Sequence, residues 1–128
     1  MRTGREVNQV RFRVCAAPAA VAQARHCVTA LGDLPDRALL DAQVVVSELV
    51  TNSILHAGLD ADDVIDVSLR RDDERILVEV DDRDGLYGGA GNHPAPVRTG
   101  GMGLNLLDAI CDHWHAEAGR VVASVPIL

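Results

Sequence analysis

Two side chains one helical turn apart, Glu48 and Asn52, are the first in this chain whose types and spacing could do chemistry. They lie in Ser47-Glu48-Leu49-Val50-Thr51-Asn52-Ser53-Ile54-Leu55-His56-Ala57, and residues four apart on a helix stack on one face. The apolar neighbours Val45, Val46, Leu49, Val50 and Ile54 recur at three- and four-residue steps and claim an adjoining buried face. A carboxylate and a carboxamide at the edge of a core need partners, because burying either unpaired costs about 1–3 kcal/mol. A metal ion, a water or a phosphate would serve. Alone, such a pair reads as a solvated strip on an amphipathic helix; two stretches downstream give it weight.

The first is acidic. Arg75-Ile76-Leu77-Val78-Glu79-Val80-Asp81-Asp82 alternates like a strand and ends in Asp81, Asp82 and Asp84, followed by Gly85. Runs of Asp and Gly are common in solvated turns, yet carboxylates at a strand end are also well placed to accept hydrogen bonds from a ligand amine. The second is Thr99-Gly100-Gly101-Met102-Gly103-Leu104, which opens into a helix with Leu104, Leu106, Leu107, Ile110 and Cys111 as its apolar residues. Glycines at a helix start let the backbone approach a ligand, and the unpaired N–H groups with the helix dipole make an anion site. It is not a Walker A loop, since no Lys-Ser/Thr follows, and not a dinucleotide fingerprint, since a long loop precedes it. His113 and His115 have the spacing of two ligands on one strand face, but no third ligand is evident for zinc. His26 and His56 read as structural or surface residues, with His56 two turns from Glu48 on a similar face.

Several elements must hold these residues in place. Met1 to Gln9 carries no periodic signal and reads as a loose arm; Arg11-Phe12-Arg13-Val14-Cys15 alternates like a half-buried strand. Pro18 suits a first helical turn, and Ala19 to Leu31 has helical apolar spacing. Gly32-Asp33-Leu34-Pro35 breaks it, and Asp36 to Ala57 is a long helix with Gly58 as its C′ residue. After an acidic connection from Leu59 to Asp63, Val64 to Arg70 and Arg75 to Asp82 read as an antiparallel hairpin. Leu86 to Gly100 is a loop of about 15 residues, a length usual for lids and binding loops. His113 to Ala118 and Arg120 to Pro126 form a closing hairpin that turns at Gly119.

At 128 residues the chain is expected to form one domain, 1–128, too short for two independent cores. Phe, Tyr and Trp total three, so the core must be built from Val, Leu, Ile and Ala. A formal charge of −7 argues against a general nucleic-acid binder, which needs a basic patch. It leaves room for a nucleotide held by backbone N–H groups and a cation. No run of 18 apolar residues and no signal-peptide pattern is present, so neither membrane association nor secretion is expected and the protein is expected in the cytoplasm. Cys15, Cys27 and Cys111 are widely spaced in apolar settings and read as reduced core thiols.

The order of these features resembles the GHKL ATP-binding superfamily, and within it the small bacterial anti-sigma-factor serine/threonine kinases. The resemblance covers about Phe12 to Val125. Glu48-Leu49-Val50-Thr51-Asn52-Ser53 is similar to the family's N box, Val80-Asp81-Asp82-Arg83-Asp84-Gly85 to its G1 box, and Gly101-Met102-Gly103-Leu104 to its G2 box. The fold implied is the Bergerat α/β two-layer sandwich: a mixed, mainly antiparallel sheet with helices on one face. The ligands implied are ATP and Mg²⁺. Asn52 would coordinate the Mg²⁺ that bridges the phosphates, and Glu48 would act as general base on the attacking hydroxyl. Asp82 would accept the adenine amine beside Asp84 and Gly85, while Thr99, Gly101, Met102, Gly103 and Leu104 would line the nucleotide. Residues 86–100 would form the lid.

By resemblance, the function is that of an ATP-dependent protein serine/threonine kinase and anti-sigma factor. Its implied partners are a sigma factor and a serine-bearing anti-anti-sigma protein, and it is implied to be a homodimer. Where the family often has glycine two residues after the G1 aspartate, this chain has Asp84. That residue favours an alternative, a partner-binding module of the same fold without useful turnover. A third reading, a detached histidine-kinase ATPase domain, lacks a phosphoacceptor histidine within a dimerisation helix pair.

Overall fold

The computed structural model describes residues 8–56, 62–82, 102–117 and 119–127. In chain order they form β1 (Asn8–Cys15), α1 (Ala19–Cys27) with a 3₁₀ turn (Val28–Leu31), α2 (Asp36–His56), β2 (Val64–Arg71), β3 (Arg75–Asp81), α3 (Met102–Ile110), β4 (His113–Glu117) and β5 (Arg120–Pro126). The strands make one sheet in the order β1-β2-β3-β5-β4. All four joins are antiparallel, so the described sheet has none of the parallel pairing that a mixed sheet would contain. The sequential hairpins β2–β3 and β4–β5 account for two joins, and the chain returns through α3 so that β5 docks beside β3.

Alternation decides which sheet face is covered. Ile65, Val67 and Leu69 of β2, Ile76, Val78 and Val80 of β3, and Val121, Ala123 and Val125 of β5 are all buried, and the register places them in rows. Each such side chain contributes roughly 1.5–3 kcal/mol when taken out of water, with Ala at less. On the opposite face stand Arg11, Arg13, Asp66, Ser68, Glu79, Asp81 and Arg120, with ion pairs Arg13–Asp66 at 2.8 Å and Arg120–Glu79 at 3.2 Å. Against the apolar face, α2 buries Ala38, Ala42, Val45, Val46, Leu49 and Val50, and α1 buries Ala20 and Ala24. The small alanines let α1 lie close to α2, where Gln43 donates to the Arg25 carbonyl at 3.3 Å. By length and hydropathy Asp36–Leu55 could cross a membrane. Most of its apolar residues instead pack in or against the core, Leu40 and Leu55 being exposed, and Asp36, Arg37, Asp41 and Glu48 interrupt it.

Two boundaries and the setting of one cysteine differ from the sequence reading. Asn8 and Gln9 belong to β1 and not to a loose arm: β2 extends far enough for Asn8 to pair with Arg71, and the Asn8 amide donates to the Leu31 carbonyl at 2.7 Å. That contact ends the 3₁₀ turn at Gly32, whose φ of 99° suits glycine and where a Cβ would come within 3.0 Å of the Asn8 amide. The first helix also changes pitch, with α-helix to Cys27 and 3₁₀ from Val28. Cys15 is exposed, because its parity in β1 is that of Arg11 and Arg13; only Cys27 and Cys111 pack against the core.

Candidate functional site

One end of the sheet collects the residues with chemical potential, and chain direction explains why. Strand β3 starts at the turn after β2 and ends at Asp81, next to Asp82. Helix α2 packs over β3 and β5 and brings Ser53 of its last turns against Asp82, so it runs the same way. Helix α3 runs back. Its Ala109 and Ile110 border a cavity of about 250 Å³ with Arg37 and Ala38 at the start of α2 and with Pro126 and Ile127 after β5. Its N-terminus at Met102 therefore lies about 12 Å nearer the Asp82 end, at 1.5 Å per residue. The positive end of the α3 dipole therefore lies toward that end of the sheet.

Of the two candidate carboxylates at the end of β3, the structure turns only one inward. Asp81 pairs with Asp66 and Arg120 on the outward face. Asp82 is 3% exposed and its Oδ2 accepts a hydrogen bond from the Ser53 hydroxyl at 3.1 Å. The Asp82 backbone is fixed as well: its N–H donates to the Gly119 carbonyl at 3.0 Å, a direct continuation of the Asp81–Arg120 pairing. Gly119 turns the β4–β5 hairpin with φ of 75°, a conformation that costs a residue with a Cβ about 1–2 kcal/mol.

Glu48 and Asn52 are both half-buried on α2, flanked by the buried Val45, Leu49 and Val50. Their helical stacking holds over the uninterrupted span Asp36–His56. Ser47, next to Glu48, is tied on both sides: its hydroxyl donates to the Gln43 carbonyl at 2.7 Å and accepts from Arg25 of α1 at 3.4 Å. An all-oxygen set of this kind suits a hard cation such as Mg²⁺, which takes few ligands from protein and the rest from phosphate and water. Met102, Gly103 and Leu104 form the first turn of α3. Asp84, Gly85, Thr99, Gly101 and the lid at 86–100 lie outside the described residues, as do Gly58 and the side chain of His56. For His113 and His115, no group of three or more His, Cys, Asp or Glu arranged for a metal occurs among the described residues.

Ser53 is the residue that the motif reading passed over. It was visible: Val46, Leu49, Val50 and Ser53 follow the three- and four-residue steps of the buried stripe, so a hydroxyl stands where the pattern asks for an apolar side chain. A fully buried hydroxyl must find a partner, and here the partner is Asp82. Gly119 was legible only as a turn, since its contact with Asp82 depends on β5 lying beside β3.

No curated protein matches the chain. Residues 14–125 match the histidine kinase-like ATPase domain, and with that match spanning nearly all of an antiparallel sheet backed by helices, the chain belongs to that family of GHKL-type ATPase domains.

Proposed function

We propose that this protein binds Mg-ATP at the Asp82 end of the sheet and transfers the terminal phosphoryl group to a serine or threonine hydroxyl of a protein partner. The family supports ATP as ligand, usually with Mg²⁺. The observation that carries the reading is the meeting of α2 and β3: the helix that bears Glu48 and Asn52 also anchors Asp82 through Ser53. One rigid helix thereby relates the base-recognition carboxylate to the phosphate-side residues, which is what a reaction governed by positioning requires.

In this scheme Asp82 accepts a hydrogen bond from the adenine amine, and the N-terminus of α3 faces the phosphates. The Asn52 carboxamide oxygen would hold the Mg²⁺, which neutralises phosphate charge when bound. Glu48, one turn before Asn52, takes the proton of the attacking hydroxyl. The partner chemistry fits a regulator that alternates between sequestering one protein and phosphorylating another. We propose a sigma factor and a serine-bearing anti-anti-sigma protein in those roles, with the kinase as a cytoplasmic homodimer. The test is a phosphotransfer assay with γ-labelled ATP, Mg²⁺ and candidate serine-bearing partners. Label transferred to a partner serine and abolished by Glu48→Gln supports the reading. Saturable ATP binding without transfer to any candidate, together with tight partner binding, would assign the chain instead as a sequestering module.

A further inference from the structure

We infer that Ser53 is a positioning residue for purine recognition: by holding the Asp82 carboxylate, it determines how strongly the site prefers a 6-amino purine over one without that amine. The inference rests on the ATP-binding reading above and adds to it a residue that the three boxes leave without a role.

Ser53 is completely buried, and Asp82 nearly so. The hydroxyl has one proton, and in this structure it is donated to Asp82 Oδ2 at 3.1 Å. An ionised carboxylate offers about four lone-pair sites, so the Ser53 bond does not by itself exhaust them, and it restrains the rotation of the Asp82 side chain. The Gly119 carbonyl restrains the Asp82 backbone at 3.0 Å. With main chain and side chain both held, the acceptor is oriented before a ligand arrives, and little ordering is left to be done on binding. A fixed acceptor discriminates. An exocyclic amine donates to it, whereas the 6-keto oxygen of a hypoxanthine or guanine base would meet it acceptor to acceptor. A carboxylate free to swing aside would tolerate the keto group better.

The test compares three ligands on the full chain: ATP, inosine triphosphate and purine riboside triphosphate, which lacks any 6-substituent. Affinities are measured by calorimetry or displacement for the parent, Ser53→Ala and Ser53→Cys. The cysteine variant fills nearly the same space with a weaker donor and guards against a cavity artefact, and circular dichroism confirms that each variant is folded. Ser53→Ala is expected to weaken ATP about tenfold, with Ser53→Cys between it and the parent. Purine riboside triphosphate should be affected less than threefold by either change, and the preference for ATP over inosine triphosphate should shrink. Equal weakening of all three ligands would show that Ser53 only supports the fold and would overturn the inference, as would unchanged ATP affinity in a folded Ser53→Ala. If the parent binds none of the three ligands, the ATP reading falls and this inference falls with it; a parent that binds ATP with unaltered discrimination in the variants removes the inference alone.

Discussion

Strand β3 has a polar cluster at each end, and the two are built on opposite principles. At its start, Arg75 pairs with Asp112 at 3.0 Å with both side chains more than a third exposed, and Asp72 caps the turn by accepting from the backbone N–H groups of Glu74 and Arg75. Arg70 and Arg71 stand nearby, with Arg71 donating to the Asp33 carbonyl at 2.6 Å. At its other end Asp82 is buried, its carboxylate accepts from the Ser53 hydroxyl and its N–H donates to the Gly119 carbonyl. The first cluster satisfies its charges with opposite charges and water. The second places a carboxylate in the core, where taking a charge out of water is costly. Buried ionisable groups at the end of a strand are concentrated at functional sites.

The contrast can be tested from its largest expected effect downward. On the proposed phosphate side of the Asp82 end, Asn52→Ala should abolish Mg²⁺-dependent ATP binding, while Glu48→Gln should leave binding within about threefold and lower phosphotransfer by roughly 10²–10⁴, the usual contribution of a general base. Single-turnover transfer at saturating ATP separates the two. Equal loss of binding in both variants would show that the pair acts as one binding element.

A smaller effect is expected behind Asp82. Gly119→Ala forces a side chain into φ of 75° and should destabilise the fold by about 1–2 kcal/mol, readable as a drop of roughly 4–8 °C in melting temperature. ATP affinity should fall with it, because the displaced carbonyl is the one that holds the Asp82 N–H. A variant that melts lower but binds ATP unchanged would break the link between this turn and the site.

The exposed cluster should be nearly silent by comparison. Asp112 has its pKa lowered, first by the Ser124 hydroxyl and then by Arg75. The buried Ser124 hydroxyl makes no hydrogen bond of regular geometry, so the Arg75 guanidinium at 3.0 Å is the better supported of the two causes. A carboxyl lowered in the folded state adds stability above its ordinary range, and that stability is lost as the pH falls through the folded value. Asp112→Asn should therefore cost less than about 1 kcal/mol at pH 7 and progressively less as the pH falls below the ordinary carboxylate range, as measured by denaturant unfolding across pH. A larger cost at pH 7 would mean that the turn end is no mere solvated surface.

Cys111 marks the smallest contrast. Burial, and then the charges of Asp112, Asp108 and Asp41, push its thiol up to about 12. It should stay unmodified by a thiolate-selective reagent at pH 8 under conditions where the exposed Cys15 reacts, which peptide mapping would show.

Much of this architecture was legible because local patterns agree with the final packing. Alternation in Val64–Arg71 and Arg75–Asp81 marks both hairpin strands and their buried face, and the helical spacing of Val45, Val46, Leu49 and Val50 marks the core side of α2. What stayed hidden depends on partners remote in sequence. Asn8 joins the sheet because β2 offers it a partner 63 residues away, and nothing local in a polar arm signals that. The choice between Asp81 and Asp82 needed the strand's register against β2 and β5. The Ser53–Asp82 contact spans 29 residues and links a helix to a strand end, so the misplaced hydroxyl could be noticed in the sequence but its partner could not.

The central claim is that Asp82 is the base-recognising acceptor of an ATP site. Calorimetric titration of the parent and of Asp82→Asn with a non-hydrolysable ATP analogue, with Mg²⁺ and with EDTA, tests it most directly. The account predicts saturable, Mg²⁺-dependent binding by the parent and a loss of about ten- to a hundredfold in the variant, the range for a hydrogen bond to a charged group. Binding of equal strength by parent and variant, or no binding by the parent at millimolar nucleotide, would contradict it.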